Sequence, residues 1–484
     1  MKALVVLAAG LGVPGVLPAL LVARRWAPAV FLAPLIGAGL AALAAVTELG
    51  LGGSLPVNYA VVAVIANLAV IAWWRMARYS VRSWAGPSWG WPVATVAFVL
   101  ACLAIPLTAL RSPMIGWDAN TMWLTKALMA YGGHHELLAG LQNPAYQYSN
   151  PDYPPLLPAT GALAFSLFGL GDLHLFVDVT ALLNACALGV LGAGVAAAGS
   201  TGRLPARVAA VISAGAICLV GFALSGWWGV VGYADLLWAA AAAAAVIWGL
   251  VLPKGTQALG IAWTCAAVAS LTKNEGLTTA LVIFALIALR YQLVTLPGRS
   301  LRSWAERAAL AGAPALPGLA WAGLVRVLGI HDNFFLATTT ESTATRVQAT
   351  IAGMATHLAV APVALAVLLA GSWLLRRDRE HALLANPVWL WLSCLGSLTI
   401  IFATYVFGGD EIHWWLTNSV DRTTIFAQLL LYSDLAIWLV VAADTASARA
   451  GRQCVTEVPA DLVESVAGRH RRLPAQRVSG PSGA

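Results

Sequence analysis

Between Arg111 and Pro158 the chain gathers Asp118, Lys126, His134, His135, Glu136 and Asp152 into about one tenth of its length, flanked by long apolar runs. Carboxylates, a lysine and aromatic rings concentrated in one polar loop of an oily chain mark a place where chemistry can be done. Gly116-Trp117-Asp118-Ala119 opens the loop, and Asn150-Pro151-Asp152-Tyr153-Pro154-Pro155 closes it. Asp118 precedes a segment, Asn120 to Tyr131, in which Trp123, Leu124, Ala127 and Leu128 are spaced for an amphipathic helix lying on a membrane surface. A carboxylate there can cap the helix N-terminus, or act as a general base where lipid meets water. Asp152 stands two residues before a double proline that forbids regular helix and fixes an extended approach to the next one. It can cap that helix, support the first carboxylate or orient a hydroxyl.

Three later phrases have the same character. Trp227-Trp228-Gly229-Val230-Val231-Gly232-Tyr233-Ala234-Asp235 sets interfacial aromatics and glycines before an acid at a helix start. Leu271-Thr272-Lys273-Asn274-Glu275-Gly276 interrupts two apolar runs with opposite charges, either a self-neutralising helical hairpin or a lysine placed to hold a phosphate. Gly408-Gly409-Asp410-Glu411-Ile412-His413-Trp414-Trp415 leads through Asn418 to Asp421-Arg422 and the last apolar run. Within apolar runs, Asp178 follows His174 by four residues, whereas Asp434 has no partner nearby in sequence and is a functional candidate on that ground.

The elements that must position these residues are membrane helices. Hydrophobic residues make up 60% of 484 positions, charged ones 10%, and the mean hydropathy is +0.79, far outside the soluble range. The expected fold is an all-α polytopic membrane protein. Thirteen spans are expected, near 3–23, 28–48, 57–74, 91–110, 173–195, 208–224, 233–251, 256–271, 276–291, 308–328, 356–374, 386–407 and 423–443. Alternate connections then carry 21 of the 28 basic residues, including Arg24, Arg78, Lys254, Arg299, Arg376 and the tail arginines. By the positive-inside rule that side is cytoplasmic, with the N-terminus outside and the C-terminus inside. This requires 154–170 to be a short helix at, or dipping into, the outer interface. The net charge of +7 therefore reports orientation rather than nucleic-acid binding. Five of six cysteines lie in apolar runs, with no metal spacing and no paired loop positions.

Taken together, the ordered phrases resemble the GT-C superfamily of integral membrane glycosyltransferases, the group related to protein O-mannosyltransferases. The likeness rests on Trp117-Asp118-Ala119, Asp152-Tyr153-Pro154-Pro155-Leu156-Leu157, Gly232-Tyr233-Ala234-Asp235, Thr272-Lys273-Asn274-Glu275-Gly276 and the segment from Trp415 to Arg422. It implies a catalytic core over 91–443 with a long first outer loop at 111–172 and outer-face interfacial helices. Residues 1–90 would be a three-helix addition and 444–484 a basic cytoplasmic tail, disordered at its extremity. It further implies a polyprenyl-phosphate sugar donor and a glycan, lipid or protein acceptor at the plasma membrane. Asp118 would be the base and Asp152 part of the acceptor-facing wall, while Lys126 or Lys273 would neutralise the donor phosphate. Tyr153, Asp235, Glu275, His413 and Arg422 complete the substrate-facing set. Relatives often carry His before the Asp-Tyr-Pro-Pro phrase, whereas this chain has Asn150 and Pro151; an assisting imidazole would come from His134, His135 or His413. The resemblance assigns no metal ligands and no certain cofactor, and leaves room for a divalent cation. A transporter or lipid flippase, which should show inverted repeats or broken helices, is one rival. A lipid-linked oligosaccharide ligase or polymerase is another.

Overall fold

The computed structural model describes residues 1–23, 26–76, 102–111, 114–199, 204–252, 256–295, 305, 309, 312–330, 340–375 and 387–456. Every regular element among them is helical. In chain order these are α1 (Lys2–Ala23), α2 (Trp26–Leu51), α3 (Leu55–Met76), α4 (Thr125–Gly132), α5 (His134–Gln142), α6 (Leu156–Phe168), α7 (His174–Gly199), α8 (Leu204–Ser225), α9 (Asp235–Val251) and α10 (Thr256–Thr272). They continue with α11 (Asn274–Arg290), α12 (Leu316–Val327), α13 (Thr343–His357), α14 (Ala361–Leu375), α15 (Pro387–Phe407), α16 (Ile412–Thr423) and α17 (Ile425–Thr456).

Among the described residues, eight helices are long and apolar enough to cross a membrane, or nine if the pair α13 and α14, bent by 63°, forms one broken span. The chain is a multi-pass membrane protein. Thirteen spans were expected, and the difference has definite sources. Two of the thirteen, 91–110 and 308–328, fall partly outside the described residues, and 356–374 belongs to the bent pair. The other two are α9 and α10, each 17 residues, about 25 Å of helix against a hydrocarbon thickness of ~30 Å. Most of the basic connections that set the expected orientation also lie outside the described residues.

Helix α9 is the core of the bundle. Every residue from Asp235 to Val251 is buried, and the run Ala239–Ala245 lets α7, α10, α11 and α17 pack close around it. The helix expected at the outer interface, α6, is only 13 residues long, and Leu156 to Phe165 are all buried, against α2, α4 and α7. Neighbouring protein rather than lipid covers that part of it. The expected tail from 444 begins as helix, since α17 continues to Thr456.

Candidate functional site

The site is assembled from the ends of elements far apart in sequence. Gly116 donates its backbone N–H to Val231 O at 2.9 Å, which docks the start of the 111–158 loop onto the turn before α9. A Cβ at Gly116 would lie 2.2 Å from the Tyr233 ring, so only glycine permits this approach. Gly232 holds φ at +95°, a conformation costly for any L side chain, and faces Ala119. Replacing Gly232 by Val is expected to destabilise the protein by about 1–3 kcal/mol and to separate Asp118 from Asp235. Thermal melting of the purified variant measures the first effect. The second is tested by mobility of a spin label at exposed Trp117, which should stay unchanged if the turn were unimportant.

From this docking a continuous row of alternating charges follows. Asp118 pairs with Arg422, whose guanidinium also lies 3.5 Å from Asp235 Oδ2. Asp235 Oδ1 accepts from Lys273 Nζ at 2.8 Å, and Lys273 reaches Glu275 Oε1 at 2.9 Å. Asp235, the first residue of α9, is 1% exposed and Lys273 8%, which makes this a buried network. Burial alone would lower the Lys273 pKa, but the carboxylates of Asp235 and Glu275 outweigh it and hold the ammonium well above its ordinary value. Arg422 also stacks 5.0 Å over the Tyr233 ring, and its neighbour Asp421 accepts from Trp228 Nε1 at 3.1 Å.

Asp152 forms the second half. Its Oδ2 accepts from Asn274 Nδ2 at 2.6 Å and its backbone carbonyl accepts from Trp321 Nε1 at 2.6 Å. Its Oδ1, like Glu275 Oε2, is buried with no hydrogen-bond partner among the described residues. Burial raises the Asp152 carboxyl above its ordinary value, against the opposing pull of Lys126 and Asn274. Tyr153 lies between the halves, with Lys126 5.5 Å and Lys273 5.8 Å from its ring.

Neither carboxylate caps a helix. Asp118 makes no side-chain capping bond to the turn that follows it, and the residue at the N-terminus of α6 is Pro155, not Asp152. Asp118, Asp152, Tyr153, Asp235, Lys273, Glu275 and Arg422 stand together around one another. Lys126 stands with them but is not disposed to hold a phosphate. It is 2% exposed, donates to Asn150 O at 2.9 Å and sits 4.8 Å over the Trp123 ring. That bond braces Asn150, whose φ of 47° is left-handed. His413 is exposed on α16 and outside the group, and His134 Nδ1 is engaged 2.7 Å from Glu48 O. The partner of Asp434 is Trp391, whose indole N–H donates to it at 3.3 Å. Asn274 and Trp321, given no role from sequence, hold Asp152; the adjacency of Asn274 to Lys273 was the only available signal.

Burial draws the Lys126 pKa down from 10.5 to about 7, with Asp152 opposing the shift. The unfolded chain then binds more protons than the folded one between about pH 7 and 10.5, so this group makes stability rise with pH across that window. Lys126→Met should remove the rise while keeping the ring contacts. Melting temperatures of both proteins at pH 7 and pH 9 check this, and an unchanged pH slope in the variant contradicts it.

Among the described residues no group of three or more His, Cys, Asp or Glu is arranged to hold a metal ion. Asp118 and Asp235 are bridged by Arg422 instead of converging on one point. The chain matches no protein-family model, no curated protein and no solved structure.

Proposed function

We propose that this chain is a membrane glycosyltransferase of the GT-C type, transferring a sugar from a polyprenyl-phosphate donor to an acceptor hydroxyl at the outer face of the plasma membrane. The observation that supports this best is the meeting of Asp118, Arg422, Asp235, Lys273 and Glu275, from four separate segments, in one buried alternating row, with Asp152 and Tyr153 beside it. On this reading the core is 91–443, preceded by an added membrane unit at 1–90, with the N-terminus outside and the basic tail at 444–484 inside. The full complement of thirteen crossings counts the short α9 and α10.

In the resting arrangement the Asp118 carboxylate is engaged by Arg422. An arriving phosphodiester competes for the guanidinium, and Asp118 is released to accept a proton. The acceptor hydroxyl oxygen attacks the anomeric carbon as its proton passes to Asp118. The bond from that carbon to the phosphate oxygen breaks, its electron pair leaving on the phosphate. Arg422, with Lys273 behind it, stabilises the charge that develops there. A phosphate leaves with little acid assistance, so one base suffices, and no step is assigned to a metal.

The test is to reconstitute the protein in liposomes with a panel of polyprenyl-phosphate hexoses and pentoses and to measure release of polyprenyl phosphate. Turnover of at least one donor is expected; absence of turnover across the panel overturns the reading.

A lipid transporter or flippase is favoured by one observation, the 63° break between α13 and α14. It would move labelled lipid across the liposome bilayer with no sugar transfer, which the same preparation measures. A ligase or polymerase would instead transfer a preformed chain.

A further inference from the structure

We infer that Arg346, together with Glu341, is the positioning residue that holds α16 so that Arg422 meets Asp118; the importance of that meeting rests on the reading just proposed. Arg346 is 2% exposed, although an arginine buried among helices is costly unless every donor is used. Here the donors are used on helix ends. Its Nε donates to Tyr405 O at 3.1 Å and Val406 O at 3.0 Å, and its Nη2 to Tyr405 O at 2.6 Å. Those carbonyls belong to the last turn of α15, where a cation suits the helix dipole. Its Nη1 donates to Asp410 O and to Glu341 Oε2, each at 2.7 Å.

Glu341 completes the device. Its Oε2 accepts from Ile412 N at 3.0 Å, the first N–H of α16, where an anion suits the opposite dipole. One ion pair on the approach to α13 thus caps the end of α15 and the start of α16 at once. Met354, Ile401, Tyr405, Ile412, Trp415, Leu416 and Val420 form a separate apolar cluster beneath it. Tyr405 then reaches along α16, its hydroxyl 2.7 Å from Ser419 Oγ and 2.9 Å from Thr423 Oγ1, on either side of Arg422. The near end of α16 is therefore fixed by Arg346 and the far end by a residue whose own carbonyl Arg346 holds. Lysine cannot replace it, because one ammonium cannot span the two carbonyls of α15, Asp410 O and Glu341 together.

The experiment uses spin labels on the full-length chain in lipid nanodiscs, with Cys454→Ser to remove the cysteine outside the apolar runs. Labels at exposed Thr417 on α16 and exposed Ala139 on α5 report the placement of α16. Labels at Leu51 and Ala139 report the rest of the outer face. Arg346→Gln is expected to broaden the first distance distribution and leave the second unchanged. Arg346→Lys should not restore the first, and Glu341→Gln, which keeps an acceptor for Ile412 N, should disturb it less. If Arg346→Gln does not fold, Glu341→Gln decides: unchanged first-pair distances overturn the inference, and a broadened first pair with an intact second supports it. Equal broadening of both pairs, which a general stabilising role would give, also overturns it. Where a sugar donor is turned over, Arg346→Gln should lower kcat/KM by about 100-fold, as misplacement of about 1 Å does, with donor KM raised because the displaced group is Arg422. Failure of all donors in the parent removes the proposed function and leaves the distance result to decide the role of Arg346.

Discussion

Arg422→Ala is expected to weaken donor binding by about 2–3 kcal/mol, roughly 30- to 150-fold, and to abolish measurable turnover. The side chain meets Asp118 and Asp235 through one guanidinium and is anchored by its own helix, donating from Nη2 to Asn418 O at 2.7 Å and from Nε at 3.1 Å. Its side chain is 14% exposed against 10% for Lys273 behind it, so on the proposed reading it is the cation of this row that an entering phosphate meets first. Arg422→Lys keeps the charge but loses the flat contact with Tyr233 and the forked donors, and should recover only a small part of the affinity. Titration of the parent and both variants with a polyprenyl-phosphate sugar gives the answer. Equal affinity in all three would take Arg422 out of the donor site.

Lys273→Met should have the largest effect on stability. It leaves Glu275 without its cation, and Asp235, 1% exposed at the start of the core helix, with only the more distant Arg422. Removing one partner of a buried pair costs about 3–5 kcal/mol, chiefly because the remaining charge is stranded. The double variant Lys273→Met, Asp235→Asn should regain most of that loss, since an amide needs no counter-charge. Melting temperatures of the single and double variants decide. No recovery in the double variant would mean that Lys273 acts through something other than this pair.

The helical membrane class was legible from composition and run length alone, because the bilayer imposes the same requirement on every span. Which apolar runs cross was less legible, and α9 explains why. Its alanine run reads as a span, yet its length and complete burial follow from how tightly its neighbours close on it, a tertiary property. In the site, Asp118 and Asp235 could be picked out as acids at helix starts, and Lys273 and Glu275 as charges between apolar runs. The resemblance also names Arg422, but which residues pair could not be read, since 304 positions separate Asp118 from Arg422 and 122 separate Asp152 from Asn274. Helix capping, the simplest sequence account of Asp118 and Asp152, gave way because stronger long-range partners were available. Lys126 shows the opposite: the resemblance implies a lysine that neutralises a phosphate, but the side chain is buried, with Asn150 O and the Trp123 and Tyr153 rings beside it.

The central claim is that Asp118 takes the acceptor proton once a donor phosphate has drawn Arg422 away. Its most direct test compares Asp118→Asn with the parent, both in liposomes with a donor that the parent turns over. In Asp118→Asn, kcat should fall by about 10²–10⁴ while donor affinity holds or improves, because Arg422 no longer has Asp118 as a competitor. Equal turnover by the two proteins would contradict it.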